Sequence, residues 1–180
     1  MELGTDRGGA PESERPRMGV AGKGSVTSVV EQLMTRDDEP YLAIVVQGAT
    51  LRCYLQRLRE YLGEADYAHY TANQQLRDGG QYHITVAGPA ELEELIDSGM
   101  DVSLSKQPVQ YRLVGLGRAQ LEGDTAYFVV CESDELQQFR ASLGLGRKDL
   151  HVTLGFEEAD VHEATKDAST LIEPLAGMTP

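Results

Sequence analysis

One pattern is written twice in this chain, and that constrains the fold more than anything else in it. Tyr41-Leu42-Ala43-Ile44-Val45-Val46 reads as a buried strand, and Leu51, Leu55, Leu58 and Leu62 then form a helical stripe closed by Gly63. A second strand follows at Tyr82-His83-Ile84-Thr85-Val86. Downstream, Tyr127-Phe128-Val129-Val130 is again a strand, and Ser133 can cap a helix carrying Leu136, Phe139 and Leu143 that Gly144 closes. Leu150-His151-Val152-Thr153-Leu154 completes the second unit. The two helices even end alike, with Leu58-Arg59-Glu60-Tyr61-Leu62-Gly63 beside Phe139-Arg140-Ala141-Ser142-Leu143-Gly144, so duplication is a better account than coincidence.

The remaining segments fill in around this repeat. Residues 1–24 are rich in Gly, Pro, Glu, Arg and Ser without apolar periodicity, and read as a disordered tail. Val26, Val29, Val30 and Leu33 sit at helical spacing, so a short helix is expected over Ser25 to Met34. Glu64 to Gly80 reads as a long connection whose Tyr67, His69, Tyr70 and Asn73 make a lid or rim. Pro89 to Ser98 reads as a helix started by proline and stopped by Gly99, and Val109 to Leu116 with Thr125 to Cys131 as a hairpin about Glu122-Gly123-Asp124. The expectation is an α+β fold: one bilobal domain over 25–176 and a short tail at 177–180. Its duplicated strand-helix-strand units are related by a pseudo-twofold axis, as two small, mostly antiparallel sheets with helices outside and a central groove.

Side chains alternate across a strand, so His83 and Thr85 share one face while Tyr82, Ile84 and Val86 take the other. His151 and Thr153 repeat the arrangement against Leu150, Val152 and Leu154. If the lobes pack about the twofold, two imidazoles and two hydroxyls converge in the groove. A single His-x-Thr is an ordinary strand sequence; its recurrence at one place in a repeated unit is what carries the inference. Such a set suits phosphate ester chemistry, with one neutral imidazole taking a proton and the other, protonated, giving one to the leaving oxygen. An unperturbed pKa near ~6.5 lets both forms coexist near neutrality. Threonine hydroxyls can donate to non-bridging phosphate oxygens.

Sixteen basic and twenty-nine acidic side chains give a formal charge of −13, which argues against duplex DNA or any long nucleic acid as partner. A small phosphorylated ligand or an RNA end is still compatible, because distant charges are screened over roughly 8 Å; the groove itself should then be locally positive. No His-Glu-x-x-His or clustered ligand set calls for a metal, no cofactor is expected, and Gly115-x-Gly117 is too short for a nucleotide fingerprint. Cys53 and Cys131 lack a metal or redox spacing and read as reduced thiols. There is no signal-like N-terminus and no long apolar run, so a cytoplasmic protein without membrane contact is expected. Nothing advertises a large interface, and a monomer is the default.

The sequence resembles the two-histidine (2H) phosphoesterase superfamily, whose mark is hydrophobic-His-x-Thr/Ser-hydrophobic in each of two repeated lobes. Tyr82-His83-Ile84-Thr85-Val86 and Leu150-His151-Val152-Thr153-Leu154 fit at every position, and His151-Val152-Thr153-Leu154-Gly155-Phe156 looks most like the branch called Swiss Army Knife RNA repair-like proteins. The likeness runs from about Tyr41 to Ile172. It implies metal-free hydrolysis or transesterification of cyclic phosphodiesters, often 2',3'-cyclic phosphate of nucleotides or RNA ends, with catalytic roles for His83, Thr85, His151 and Thr153.

Secondary candidates follow from position. Arg147 and Lys148 precede the second motif strand and could lend positive potential, and Lys166, four residues after His162, could contact phosphate or a base. Tyr41 and Tyr127 begin equivalent strands and could line the groove, while His69 could stack on a base. Two rival functions use the same residues: a binding module that holds a nucleotide or RNA end without turnover, and a metalloenzyme with His83 and His151 as ligands, which lacks an evident third.

Overall fold

The computed structural model describes residues 24–172 apart from 103, 105 and 107. The tails expected at 1–24 and 177–180 therefore lie, but for Gly24, outside the described residues. Strands β1 (Ser25–Ser28), β2 (Glu31–Met34), β3 (Pro40–Val46), β4 (Tyr82–Ala87), β5 (Val109–Leu121), β6 (Asp124–Glu132) and β7 (His151–Phe156) form one antiparallel sheet in the order β1-β5-β6-β7-β4-β3-β2. Helices α1 (Gly48–Leu62), α2 (Glu64–Asp78), α3 (Pro89–Asp97) and α4 (Asp134–Ser142) send their apolar residues to one side of it. The α+β class is as expected. The two small sheets are not: β4 and β7, the two motif strands, pair with each other at the centre and join both halves into a single sheet.

The expected helix over Ser25 to Met34 is replaced by β1 and β2, which pair with β5 and β3 at opposite edges of the sheet. Val26 and Thr27 of β1 are β-branched, stiff at χ1 and weak in a helix, and each edge offers a row of backbone partners. Only Val29 and Val30 separate the two strands. Three steps of about 3.8 Å between Cα atoms cover at most ~11 Å, so the two edges approach each other and the sheet is curled.

The main core lies between the sheet and the helices, with Leu51 and Leu58 of α1, Leu92 and Leu95 of α3, and Leu136 of α4 against Ile44, Ile84, Val129 and Val152. Gly63, at φ 82°, ends α1 with its N–H on the Arg59 carbonyl. Ser133 caps α4 by accepting from the Leu136 N–H. The long connection read over Glu64 to Gly80 is instead α2 and its left-handed cap at Gly79. Its buried positions are Thr71 and Gln74, whose side chains donate to the Tyr67 and Gln81 carbonyls, while Leu76 is 72% exposed. A helix with a polar buried face leaves no apolar period to read.

A bulge in β7 sets how closely α2 can approach. Tyr127 pairs with Gly155 and Phe128 with Thr153, so Leu154 is the extra residue. A Cβ on Gly155 would lie 2.8 Å from the Tyr70 backbone. Gly155→Ala is accordingly expected to cost about 1–3 kcal/mol in urea denaturation, since backbone rather than a mobile side chain must give way. An unchanged midpoint would mean that α2 shifts aside freely.

The opposite side of the sheet carries a smaller cluster of Ala126, Phe128 and Val130 of β6, Phe156 of β7, and Val161. The chain after β7 crosses this side, and Leu171 bridges to Gly117 of β5. The two glycines that resembled a nucleotide motif have a packing role. A Cβ on Gly117 would meet the Phe128 ring at 2.5 Å, and one on Gly115 would meet Leu171 at 2.9 Å.

Candidate functional site

Ile84 of β4 pairs with Val152 of β7, and both are fully buried in the main core. One residue to either side, that antiparallel register sets His83 across from Thr153 and Thr85 across from His151, on the face away from the helices. The four motif side chains therefore share one patch at the centre of the sheet, with no second lobe required to bring them together.

The two imidazoles have different surroundings. His83 meets the edge of Tyr41 with ring centroids 5.4 Å apart, and among the described residues its ring makes no hydrogen bond. Burial pushes its pKa below the usual histidine value, Asp78 and Asp160 pull it back, and Arg77 pushes it down again. His151 sits over Phe128, ring centroids 5.6 Å apart. Its Nδ1 is 2.9 Å from the Asp149 carbonyl, which can only accept, so Nδ1 carries the proton and Nε2 the lone pair. Burial, and then the Lys166 charge, depress its pKa to about 3. His151 is therefore a neutral imidazole at physiological pH.

Beside the motifs lies a charge cluster that pattern reading largely missed. Asp160, in the segment after β7, accepts from Lys166 Nζ at 2.8 Å, Arg77 Nη1 at 2.6 Å and the Thr153 hydroxyl at 3.0 Å. Arg77, from the last turn of α2, also holds Asp78 through Nε and Nη2 at 2.7 Å each and lies over the Phe156 ring. Burial works against the Asp160 charge, but Lys166 and Arg77 outweigh it and hold the carboxyl well below the usual aspartate range. Burial likewise opposes the Arg77 charge, and its two carboxylates more than restore it. Lys166 is 1% exposed, with Nζ 3.4 Å from His151 Nε2 and 5.6 Å from the Phe128 ring centre.

The cluster corrects the expectation of a locally positive groove: Arg77 and Lys166 are matched by Asp78 and Asp160. The Thr153 hydroxyl donates to Asp160, whereas Thr85 makes no side-chain hydrogen bond among the described residues.

The secondary candidates divide. Lys166 and Tyr41 lie beside the motif histidines. Tyr127 does not: it faces the helices, edge-on to Tyr61 and Tyr70. Lys148 is tied to Glu91 at 3.5 Å, with its backbone N–H and carbonyl bonded to the Gln137 side chain, although its charge is felt at His151. Glu91, held by Arg140, the Gly88 N–H and Lys148 against the cost of burial, is depressed to about 2, so this is a structural tie between α3 and α4. Arg147 is exposed and forms no ion pair among the described residues. His69 is exposed on α2, edge-on to Tyr70, and His162 is exposed beside Asp160. Among the described residues no cluster of three or more His, Cys, Asp or Glu could hold a metal ion, so a third ligand for the metalloenzyme reading is not found there. No helix among them is long and apolar enough to cross a membrane.

No curated protein and no solved structure matches the chain. The family model described as Swiss Army Knife, 2H phosphoesterase domain does match, over residues 44–162, which span both His-x-Thr strands and Asp160, and the chain belongs to that family.

Proposed function

We propose that the protein is a metal-independent phosphodiesterase for cyclic phosphodiesters, the 2',3'-cyclic phosphate of nucleotides or RNA ends, working by paired-histidine acid and base catalysis. The observation that carries this is the β4/β7 register, which brings both imidazoles and both threonines to one patch beside Arg77 and Lys166. The asymmetry of the imidazoles favours His151 as base. Its Nε2 lone pair takes a proton from water as the water oxygen bonds to phosphorus, the P–O bond to the ribose oxygen breaks, and His83 in its protonated form gives that oxygen a proton. The Thr85 hydroxyl donates to a non-bridging oxygen, and Arg77 and Lys166 supply charge-assisted donors as negative charge builds. Tyr41 borders the His83 side.

The test is incubation with 2',3'-cyclic AMP and with an oligonucleotide ending in a cyclic phosphate, in chelator, following products by chromatography. A single phosphomonoester isomer is expected from the wild type and none from a His83→Ala/His151→Ala double variant; equal turnover by the two proteins would end the proposal. A second reading, a binding module without turnover, draws on the pairing of Thr153 and Lys166 with Asp160, which ties up groups that would serve the substrate. It predicts a saturable shift and no product.

A further inference from the structure

The group that would act as base is not open in the resting chain. Lys166 Nζ stands 3.4 Å from His151 Nε2, and with Nδ1 donating to the Asp149 carbonyl the Nε2 lone pair can only accept from that ammonium. Asp149 holds both partners, the ring through its carbonyl and the lysine through a 3.0 Å bond from the Lys166 N–H to its carboxylate. Asp160 accepts a hydrogen bond from the same ammonium and others from Arg77 and Thr153. Three donors that face the motif patch thus converge on one buried carboxylate, which occupies the role a phosphate would play. A phosphodiester brings two non-bridging oxygens that share a full negative charge. It is a better partner for an ammonium than a neutral imidazole nitrogen, because its full negative charge attracts the cation directly, whereas the imidazole offers only a lone-pair dipole.

We propose that Lys166 is a substrate-gated cap on His151: its ammonium covers Nε2 in the free protein and turns to the phosphoryl oxygens of a bound phosphodiester, uncovering the lone pair only when an anion is in place. The inference rests on reading His151 as the base. Burial lowers the Lys166 pKa and Asp160 opposes that while tethering the ammonium through the exchange, so Lys166 is a positioning residue as well as an anion contact. The cap also explains how a buried cation can sit in a patch of balanced charge: the anion displaces an imidazole contact, not the Asp160 pair.

Nitrogen-15 imidazole NMR of the full chain tests this without requiring turnover. On titration with inorganic phosphate, the wild-type His151 Nε2 resonance should move as the ammonium leaves, and the movement should be absent in Lys166→Met and retained in Lys166→Arg. A wild-type resonance that does not respond to phosphate overturns the cap, and needs no variant to fold; so does a response of equal size in Lys166→Met. Kinetics supply the second arm. The titratable groups around His151 are Lys148 and Asp149 before β7, Asp160 and Lys166 after it, and His83 on β4. Loss of the Lys166 charge lets the imidazole protonate more readily, so the acid limb of kcat/KM should move to higher pH in Lys166→Met, with kcat down roughly 10²- to 10³-fold. A purely structural lysine would lower activity without moving that limb. Absence of turnover in the wild type, with the phosphate response intact, would count against the phosphodiesterase reading and leave the cap standing.

Discussion

Alanine at either His83 or His151 is expected to lower turnover of a 2',3'-cyclic nucleotide by roughly 10²- to 10⁴-fold, the range of a lost general acid or base. The two variants should differ in everything else. The His83 ring touches Tyr41 and makes no hydrogen bond among the described residues, so His83→Ala should unfold close to the wild type. His151 fills the space between Phe128 and Lys166 and bonds to the Asp149 carbonyl, so its removal should be felt in stability as well. Its folded pKa, depressed to about 3, adds a pH signature. In the unfolded chain the same imidazole takes a proton below about 6.5. Its contribution is thus fully present above about 6.5 and is lost as pH falls from there towards the folded value, with a slope of at most ~1.4 kcal/mol per pH unit. In wild type the unfolding free energy should fall through that window, and in His151→Ala part of the slope should vanish. Comparable turnover in either alanine variant would break the paired mechanism; an unchanged pH slope would show that His151 is not held neutral.

How much of this could be read beforehand depended on whether the physics was local. The α1 stripe of Leu51 and Leu58, the proline start of α3 and the Ser133 cap of α4 are signals a few residues long, and each lies where the pattern put it. The motif strands were legible because period-two alternation separates His83 and Thr85 from Ile84 and Val86. What failed was non-local. The segment before Met34 forms two strands because β5 and β3 present open edges, and nothing in Ser25 to Met34 itself records those partners. α2 was invisible because Thr71 and Gln74 are buried by hydrogen bonds to carbonyls rather than by apolarity. The site divides in the same way. Histidine and threonine were marked by repetition and Lys166 by proximity, but Arg77 and Asp160 meet across 83 residues of sequence. Asp160 could have been suspected only from its place in the charged run that also holds His162 and Lys166.

The buried carboxylate is also the position where one substitution should cost the most stability. Asp160→Ala would leave the Lys166 ammonium without its partner at 1% exposure, strip Arg77 of one of two carboxylates and orphan the Thr153 hydroxyl. Breaking a buried pair from one side costs about 3–5 kcal/mol, because the stranded charge keeps its desolvation penalty and loses its compensation. The penalty should therefore be relieved by removing the stranded charge. Asp160→Ala/Lys166→Met should be more stable than Asp160→Ala alone, although it carries one more substitution, and a double-mutant cycle by urea denaturation should give a coupling well outside additivity. Arg77 keeps Asp78 in either variant, which limits the loss on that side. Acid should reproduce the effect in the wild type. Since the folded carboxyl is held below its ordinary range, its stabilisation is present above about 3.9 and is lost as pH falls beneath that value. Because Asp160 also anchors Lys166 against His151, the same variant should lose activity at pH values where it is still fully folded. Additive single and double variants, or an Asp160→Ala protein as active as the wild type, would show that the Arg77–Asp160–Lys166 cluster is neither the anchor of the motif patch nor part of its chemistry.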